Sequence, residues 1–120
     1  MIKLVHPSKV EVRPSEGKGM GVFAKQFIRK GDPIEDCHLL FLPQNEGLLD
    51  DYRFNWPAGQ DDYDAQVIPL GFGAIYNHSN DNNISWMSHP DSNMFFRFYA
   101  LRDIMPGEEC CSYYGNTQFP

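Results

Sequence analysis

The sequence predicts a mainly β fold built from short strands, with little helix. Nine prolines and ten glycines divide the 120 residues into short pieces, and both residue types interrupt regular structure. Few windows hold a helical hydrophobic period for ten residues, whereas several short segments alternate as strands do. A chain of this length is expected to form one domain, residues 1–120, because about two thirds of its unfolded surface can be buried in a single core.

Predicted strands and turns alternate through the first third of the chain, with strands at residues 9–13, 22–27 and 34–42 and turns at 17–21 and 29–33. Residues 45–56 differ, because Leu48, Leu49, Tyr52 and Trp56 recur at spacings of one, three and four. That spacing places apolar side chains on one face of a helix. We therefore expect one or two helical turns in this segment.

The second half of the chain is predicted to hold mostly strands and loops. Its elements are a polar loop at residues 59–64, an apolar segment at 70–76, a polar loop at 77–83, a strand at 93–101, a turn at 105–108 and a last strand at 109–113. The two glycines within residues 70–76 favour close packing of this segment over a long helix.

The formal net charge of the chain is −6, and no cluster of Lys and Arg is long enough to follow a phosphate backbone. Direct binding of nucleic acid is therefore disfavoured. An acidic protein is suited to attract a basic protein or peptide, because complementary charge raises encounter rates. The alternative is that the charge serves only to keep the protein in solution.

Three cysteines, Cys37, Cys110 and Cys111, form neither an even disulfide framework nor a Cys-x-x-Cys pair, and adjacent cysteines are poorly placed to chelate one zinc ion. They are interpreted as buried, reduced thiols. The N-terminal residues have no apolar run of signal-peptide length, and no stretch reaches the ~18 apolar residues of a membrane span. These features predict a soluble intracellular protein that has no contact with a membrane.

Two segments are candidates for binding a ligand. Glycines alternate at residues 17–21, which lets the backbone bend tightly and approach a nucleotide-like molecule, although a glycine-rich hairpin turn explains the same pattern. Seven polar residues at 77–83 directly follow the apolar segment. Such a loop contacts a ligand or satisfies its own backbone through Asx turns, and this stretch by itself leaves both interpretations open.

A third candidate lies near the C-terminus, where Tyr113 and Tyr114 precede Gly115. A tyrosine hydroxyl there could orient a reacting amine, or the two rings could be core packing. A serine or cysteine hydrolase is disfavoured, because the sequence has no Gly-x-Ser-x-Gly motif. A metal site is also disfavoured, because the histidines lack the i, i+4 spacing of helical ligands.

Taken together, four segments resemble the SET-domain family. They are GKGMGVFA at residues 17–24, KGDPIEDC at 30–37, LGFGAIYNHS at 70–79, continuing to residue 83, and GEE at 107–109 followed by Tyr114 and Gly115. The four segments occur in the order and spacing of the family and span nearly the whole chain. Among family members, the chain most resembles the small free-standing viral and bacterial ones.

The resemblance implies a fold of short curved β-sheets in which the C-terminal segment threads beneath a preceding loop as a pseudoknot. Gly115 and Asn77 would then be neighbours. It also implies a pocket for S-adenosylmethionine, which leaves as S-adenosylhomocysteine after the reaction. Six residues are expected to line this pocket. They are Lys18, Gly19, Met20, Asn77, His78 and Tyr114.

By the same resemblance, Tyr114 is the catalytic tyrosine of a protein-lysine methyltransferase. Tyr76, Tyr113 and Trp86 are expected to line the channel that admits the lysine. A neutral lysine amine attacks the methyl carbon of a sulfonium in this chemistry. An aromatic channel and a neighbouring cation both disfavour the charged amine, whose ordinary pKa is ~10.4.

Three departures from the family pattern concern the site. Asn82 stands where members of the family usually carry proline, and the cysteine-rich zinc module that usually follows the domain is expected to be absent, leaving Phe119 to cap the site. Cys37 and Ser112 occupy positions that are often aromatic. Because such aromatic residues limit how many methyl groups are added, the resemblance does not predict mono-, di- or trimethylation.

The partner is expected to be a basic protein or peptide, such as a histone, that carries the target lysine. An exposed aromatic surface that includes Phe119 predicts a homodimer. Two alternatives to an active enzyme are a non-catalytic SET-fold module that binds peptides at a sheet edge and a structural domain without a cofactor pocket. The predicted location is the cytoplasm or, for a viral protein, the host nucleus.

Overall fold

The computed structural model describes residues 7–42, 53–56, 58 and 65–113. These residues form nine β-strands and no α-helix, so the predicted mainly β class is confirmed. None of them belongs to a helix long and apolar enough to cross a membrane.

The strands form two sheets. In chain order they are β1 (Val10–Ser15), β2 (Gly19–Ala24), β3 (Pro33–Leu42), β4 (Phe54–Trp56), β5 (Ala65–Pro69), β6 (Asn77–His78), β7 (Ile84–His89), β8 (Ser92–Ala100) and β9 (Glu109–Ser112). A four-stranded sheet has the order β1-β2-β9-β6, and a five-stranded sheet has the order β4-β5-β3-β8-β7. The strand β9 therefore lies between strands that precede it by long stretches of sequence.

The predicted strands at 9–13, 34–42, 93–101 and 109–113 are found as β1, β3, β8 and β9 with small shifts of their ends. The strand predicted at 22–27 starts earlier, at Gly19, because β1 and β2 pair as a hairpin up to Ser15 and Gly19. Gly17 and Gly19 have φ of 75° and 78°. Glycine adopts such positive φ without the steric penalty of a side chain, which explains the glycines at this turn.

The expected helical turns at residues 45–56 are wrong in the part that the structure describes. Phe54–Trp56 is strand β4, which pairs antiparallel with β5 through Phe54 and Val67. An aromatic pair at alternate positions favours a half-buried strand once a partner strand is available. Residues 43–52, like the loop predicted at 59–64, lie outside the described residues.

Strands β5 and β7 were not predicted, and the polar loop predicted at 77–83 begins with the two-residue strand β6. In β7, the side chain of Ile84 is fully buried and that of Trp86 packs against the core. Met87, the residue after Trp86, is exposed. This alternation is the normal pattern of a strand that covers one side of a core. In a short segment rich in serine and bounded by polar residues, the pattern was too weak to recognise.

One buried cluster includes side chains from both sheets. Val10, Val22 and Cys110 contribute from the four-stranded sheet, and Phe96 and Phe98 from the five-stranded sheet. Full burial of each large apolar side chain is worth about 1.5–3 kcal/mol. The two sheets are therefore joined by a shared core, and the position of one constrains the other.

The three cysteines are buried and form no disulfide, as predicted for reduced thiols. Burial, followed by the neighbouring Cys111, raises the pKa of Cys110 to about 12. Burial also raises the pKa of Cys111 above its ordinary value. A thiol that does not ionise at neutral pH is a poor nucleophile, so neither residue is suited to covalent catalysis.

Candidate functional site

Three of the four segments that carry the family resemblance lie side by side in the four-stranded sheet. β2 pairs antiparallel with β9 through Val22 and Cys110. On the other side of β9, β6 pairs parallel to it, with Asn77 opposite Cys111 and His78 opposite Ser112. The sheet thus brings the glycine-rich hairpin, the Asn77-His78 pair and the strand that leads to the C-terminal tyrosines into one place.

The tip of the hairpin is exposed at Lys18, Gly19 and Met20, the residues predicted to line the cofactor pocket. The Lys18 N–H donates to the Ser15 carbonyl over 3.0 Å, which closes the turn. The Met20 carbonyl accepts a hydrogen bond from Asn77 Nδ2 at 3.1 Å. Two segments predicted to bind the same ligand are therefore in direct contact.

The carboxylate of Glu109 also connects the hairpin with the Asn77 segment. Its Oε2 accepts from Asn77 Nδ2 at 2.7 Å, and its Oε1 accepts from Ser15 Oγ at 2.9 Å. Hydrogen bonds to an ionised carboxylate are roughly twice as strong as those between neutral groups. Ser15 is buried and Glu109 half-buried, so competition from water is reduced at both bonds.

The close approach of these groups explains the glycine at position 21. A Cβ on Gly21 would overlap the Oε2 atom of Glu109 and lie 2.9 Å from Asn77 Nδ2. Both distances are shorter than side chains tolerate, so Glu109 or Asn77 would have to move. Gly21 is therefore required by the site and not by its own backbone conformation.

Asn83 attaches the polar loop to β9 by its backbone and its side chain. Its Nδ2 donates to the Glu109 carbonyl at 2.8 Å, and its Oδ1 accepts from the Cys111 N–H at 2.8 Å. Its backbone N–H donates to the Cys111 carbonyl at 3.1 Å. Asn83 is almost completely buried. It therefore serves β9 as a neighbouring strand would, and holds residues 77–83 against it.

His78 and Tyr113 lie together at the end of β9. Their ring centroids are 5.2 Å apart, and Tyr113 is 45% exposed. The imidazole also lies 3.2 Å from Asn80 Oδ1. Tyr114, the predicted catalytic residue, and Gly115 lie outside the described residues, as does the predicted threading of the chain beyond Tyr113, so those assignments stay predictions.

Tyr76 and Trp86, both predicted to line the lysine channel, pack around Phe98. Tyr76 stacks on Phe98 with ring centroids 4.9 Å apart and is only 1% exposed. Trp86 is half-buried and contacts Phe54, with centroids 4.8 Å apart. The structure thus groups these two residues with the core and Tyr113 with His78. The channel assignment of all three stays a prediction.

A buried carboxylate, Glu35, contacts the apolar segment 70–76. It accepts from the Tyr76 hydroxyl at 2.6 Å and from the Phe72 N–H at 3.3 Å. Burial, and then Glu35, raise the pKa of Tyr76 well above its usual range. The same two causes raise the pKa of the Cys37 thiol. Both groups are therefore held in their protonated forms.

The glycines of this segment are explained by the same contacts. Gly71 has a φ of 83° and a Cβ there would lie 2.9 Å from Glu35 Oε2. A Cβ on Gly73 would lie 2.7 Å from the Pro69 Cβ and 3.0 Å from Cys37 Sγ. The prediction that these glycines serve close packing is confirmed.

Glu35 and Glu109 lie in the motifs at residues 30–37 and 107–109, but the sequence predicted no role for either of them. It predicted none for Ser15. The available signal was position: each glutamate lies in or beside a run of apolar strand residues, where an ionised side chain needs partners. Ser15 closes the predicted turn but offers no signal of its own. Among residues 7–42, 53–56, 58 and 65–113, no group of three His, Cys, Asp or Glu side chains is placed to hold a metal ion.

Comparison with known proteins agrees with this geometry. The family model described as "SET domain" matches residues 19–115. The chain is 32% identical over 116 residues to a Schizosaccharomyces pombe protein named histone-lysine N-methyltransferase, H3 lysine-37 specific, with 91% of this chain and 75% of that protein covered. It is 27% identical to a crystal structure of a candidate histone methyltransferase from Plasmodium falciparum, with a TM-score of 0.71, covering 99% of this chain and 100% of the other. The chain therefore belongs to the SET domain family.

Proposed function

We propose that the protein is an S-adenosylmethionine-dependent methyltransferase that modifies lysine side chains of other proteins. The single observation that carries the proposal is the convergence in one sheet of the hairpin tip, Asn77-His78 and the strand leading to Tyr113. Membership of the SET domain family and similarity to a named histone-lysine methyltransferase support it.

The residues present fit a cofactor that carries hydrogen-bond donors. Asn77 commits both amide hydrogens to Glu109 and Met20, and its Oδ1 receives no hydrogen bond from the described residues. That oxygen is available to a ligand donor. The exposed hairpin tip offers backbone groups without bulky side chains at Gly19. S-adenosylmethionine, bound here, would supply an electrophilic methyl group.

The protein's own contribution to methyl transfer is to position a neutral amine. We expect the Tyr114 hydroxyl to orient the lysine nitrogen, with Tyr113 as an aromatic wall beside it. Aromatic walls disfavour the ammonium form by desolvation, so the amine loses its proton without a dedicated general base. Tyr76 and Trp86 are proposed as further walls of the channel. Positioning of this kind accounts for a large part of the acceleration in such displacements.

The proposed substrate is a basic protein, with histone H3 as the first candidate because the Schizosaccharomyces pombe relative is named for it. A net charge of −6 favours encounter with a basic tail. A histone substrate would also place the protein inside the cell. The resemblance to small viral and bacterial members of the family stays a prediction, as does the number of methyl groups added.

The decisive experiment incubates the protein with isotopically labelled S-adenosylmethionine, histones and histone H3 peptides. We expect label on lysine. Cofactor binding without transfer to any basic protein would leave a non-catalytic binding module, and absence of cofactor binding by calorimetry would overturn the proposal.

Replacing the predicted catalytic hydroxyl gives the sharper test. Tyr114→Phe should lower kcat about tenfold to several hundredfold, equal to roughly 1.4–4 kcal/mol, while cofactor affinity and circular dichroism stay unchanged. Single-turnover methylation of a basic peptide measures this. Tyr113→Phe is the matched control and should keep most of the activity. Wild-type turnover in folded Tyr114→Phe would mean that the catalytic hydroxyl belongs to another tyrosine.

A homodimer is a further proposal. Leu40 in β3 and Leu70, whose N–H donates to the His38 carbonyl of β3, are 48% and 46% exposed. Exposed apolar side chains favour association. Phe119, the residue that first suggested a dimer, lies outside the described residues. Light scattering at tens of micromolar protein would contradict the proposal if it gave the mass of a monomer.

A further inference from the structure

One carboxylate, that of Glu109, contacts both segments that the proposed cofactor site requires. It accepts from Ser15, which closes the hairpin, and from Asn77 in β6. These partners are 94 and 32 positions away in the sequence. No other carboxylate among the described residues is shown bonded to both segments. Glu109 therefore adds a side-chain link to the strand pairing and the Asn77–Met20 hydrogen bond that hold them together.

Glu109 is itself held at both ends. Its backbone carbonyl accepts from Asn83 Nδ2 at 2.8 Å, and the next residue but one, Cys111, donates its N–H to the same Asn83 side chain. Its carboxylate is restrained by Ser15 Oγ at 2.9 Å. With backbone and side chain both restrained, the carboxylate is a fixed acceptor to which the Asn77 amide must adapt.

The fixed acceptor determines which atom of Asn77 faces outward. A primary amide has two N–H donors and one carbonyl acceptor. The Nδ2 atom points at two acceptors, Glu109 Oε2 at 2.7 Å and the Met20 carbonyl at 3.1 Å. A rotation of the amide by half a turn would place Oδ1 against both of these oxygens, which is repulsive. The amide is therefore locked with Oδ1 presented as an acceptor.

We propose that Glu109 is a positioning residue that locks the Asn77 amide so that Oδ1 is the atom offered to the cofactor. The inference rests on the proposed function, since it concerns the same site. Glu109 does not touch the cofactor in this arrangement. It acts through Asn77, and its effect on affinity should disappear when Asn77 is removed.

The test is a double-mutant cycle read by calorimetric titration with S-adenosylmethionine and S-adenosylhomocysteine. Glu109→Ala should raise the Kd about tenfold in the wild-type background, and less than about twofold in the Asn77→Ala background. An equal effect in both backgrounds, or no effect in either, would overturn the inference. Circular dichroism and the urea midpoint of each variant confirm that folded protein is compared.

Conservative variants separate position from charge. Glu109→Gln keeps an oxygen that can accept from Asn77 and an amide that can donate to Ser15 Oγ, so its Kd should stay within about threefold of wild type. Glu109→Asp keeps the charge but withdraws it by one methylene, and should weaken binding as Glu109→Ala does. Glu108→Gln is the matched control. That side chain accepts from the Met105 N–H instead, and its replacement should change the Kd less than about twofold.

A measurement without cofactor keeps this inference distinct from the proposed function. The side-chain NH₂ resonances of Asn77, identified by their loss in Asn77→Ala, should shift in Glu109→Ala and much less in Glu109→Gln. If the wild-type protein binds no cofactor while these shifts occur, the proposed function fails and the locking of the amide stands. If the cofactor binds and the resonances of Glu109→Ala match wild type, the inference about Glu109 fails alone.

Discussion

Glu35 and Glu109 use the same chemistry for different purposes. Each accepts one hydrogen bond from a side-chain hydroxyl and one from an N–H group. Glu35 is buried, and one of its partners, Tyr76, is buried in the core. Glu109 is half-buried, and its partner Asn77 keeps an acceptor directed away from the carboxylate. A carboxylate that joins core groups stabilises the fold, whereas the proposed role of Glu109 is to position a half-exposed amide for the cofactor.

The largest expected effect is a loss of stability when Glu35 is replaced. Glu35→Ala removes the acceptor of the buried Tyr76 hydroxyl and of the half-buried Phe72 N–H. Loss of a partner by a buried polar group costs about 1–3 kcal/mol. We expect the free energy of unfolding to fall by about 3 kcal/mol in urea titration. The Kd for S-adenosylmethionine of the remaining folded protein should be unchanged. A stable variant that binds cofactor weakly would reverse the two roles.

The complementary change acts on the Glu109 region. Gly21→Ala introduces a Cβ into the space of Glu109 and Asn77, so we expect the Kd for S-adenosylmethionine to rise about tenfold. Stability should fall by less than in Glu35→Ala, because Gly21 does not require a positive φ. Gly107→Ala is a control in which nothing lies within 4 Å of the new Cβ but φ is 89°. It should lower stability and leave the Kd unchanged.

An alkaline titration reports on buried ionisable groups beside both carboxylates, with Cys110 next to Glu109 and with Cys37 and Tyr76 next to Glu35. The ordinary pKa of a cysteine thiol is 9.0, and that of Cys110 is raised to about 12. The unfolded chain therefore releases protons above about pH 9 that the folded chain keeps. Stability from this source is fully present below about pH 9 and is lost as the pH rises toward 12. Cys37 and Tyr76, whose pKa values are also raised, act in the same direction.

Urea unfolding at about pH 7, 9 and 11 measures this loss. Cys37→Ala should reduce the slope above about pH 9, because it removes a thiol from the Glu35 region. Ser15→Ala, in the Glu109 region, should leave the slope as it is in wild type. A free energy of unfolding that stays constant to about pH 11 would contradict the prediction.

The smallest expected effect concerns Ser112, whose hydroxyl is buried and has no hydrogen-bond partner among the described residues. Removing an unpaired buried hydroxyl relieves a desolvation cost. Ser112→Ala should therefore raise the free energy of unfolding by up to about 1 kcal/mol, measured in urea. A loss of more than about 1 kcal/mol would mean that the hydroxyl has a partner.

Much of the fold class followed from local patterns. Strand-like patterns in residues 9–13, 34–42 and 93–101 identified real strands, and the glycines at 17 and 19 marked a real turn. Strand β4 was mistaken for helix because the spacing of Leu48, Leu49, Tyr52 and Trp56 is compatible with a helical face. Its strand conformation depends on pairing with β5, which is a tertiary contact that local spacing does not encode.

The site divides in the same way. Motif resemblance identified Asn77, His78 and the hairpin, and the structure brings these residues together. Motif resemblance did not reveal that Glu109 and Ser15 hold these residues. The contact between Ser15 and Glu109 spans 94 positions, and no periodic sequence pattern predicts it. The role of Tyr114 was inferred from its place in the motif and stays a prediction.

The position of β9 between β2 and β6 has a consequence for the order of assembly. Every contact of the site that involves β9 closes a large loop of chain, and such closure is entropically costly and tends to occur late in folding. During synthesis, the hairpin and the loop at 77–83 leave the ribosome long before Glu109 does. The candidate site is thus completed only when β9 inserts, so a nascent or truncated chain that ends before that strand has the hairpin and Asn77-His78 but no site.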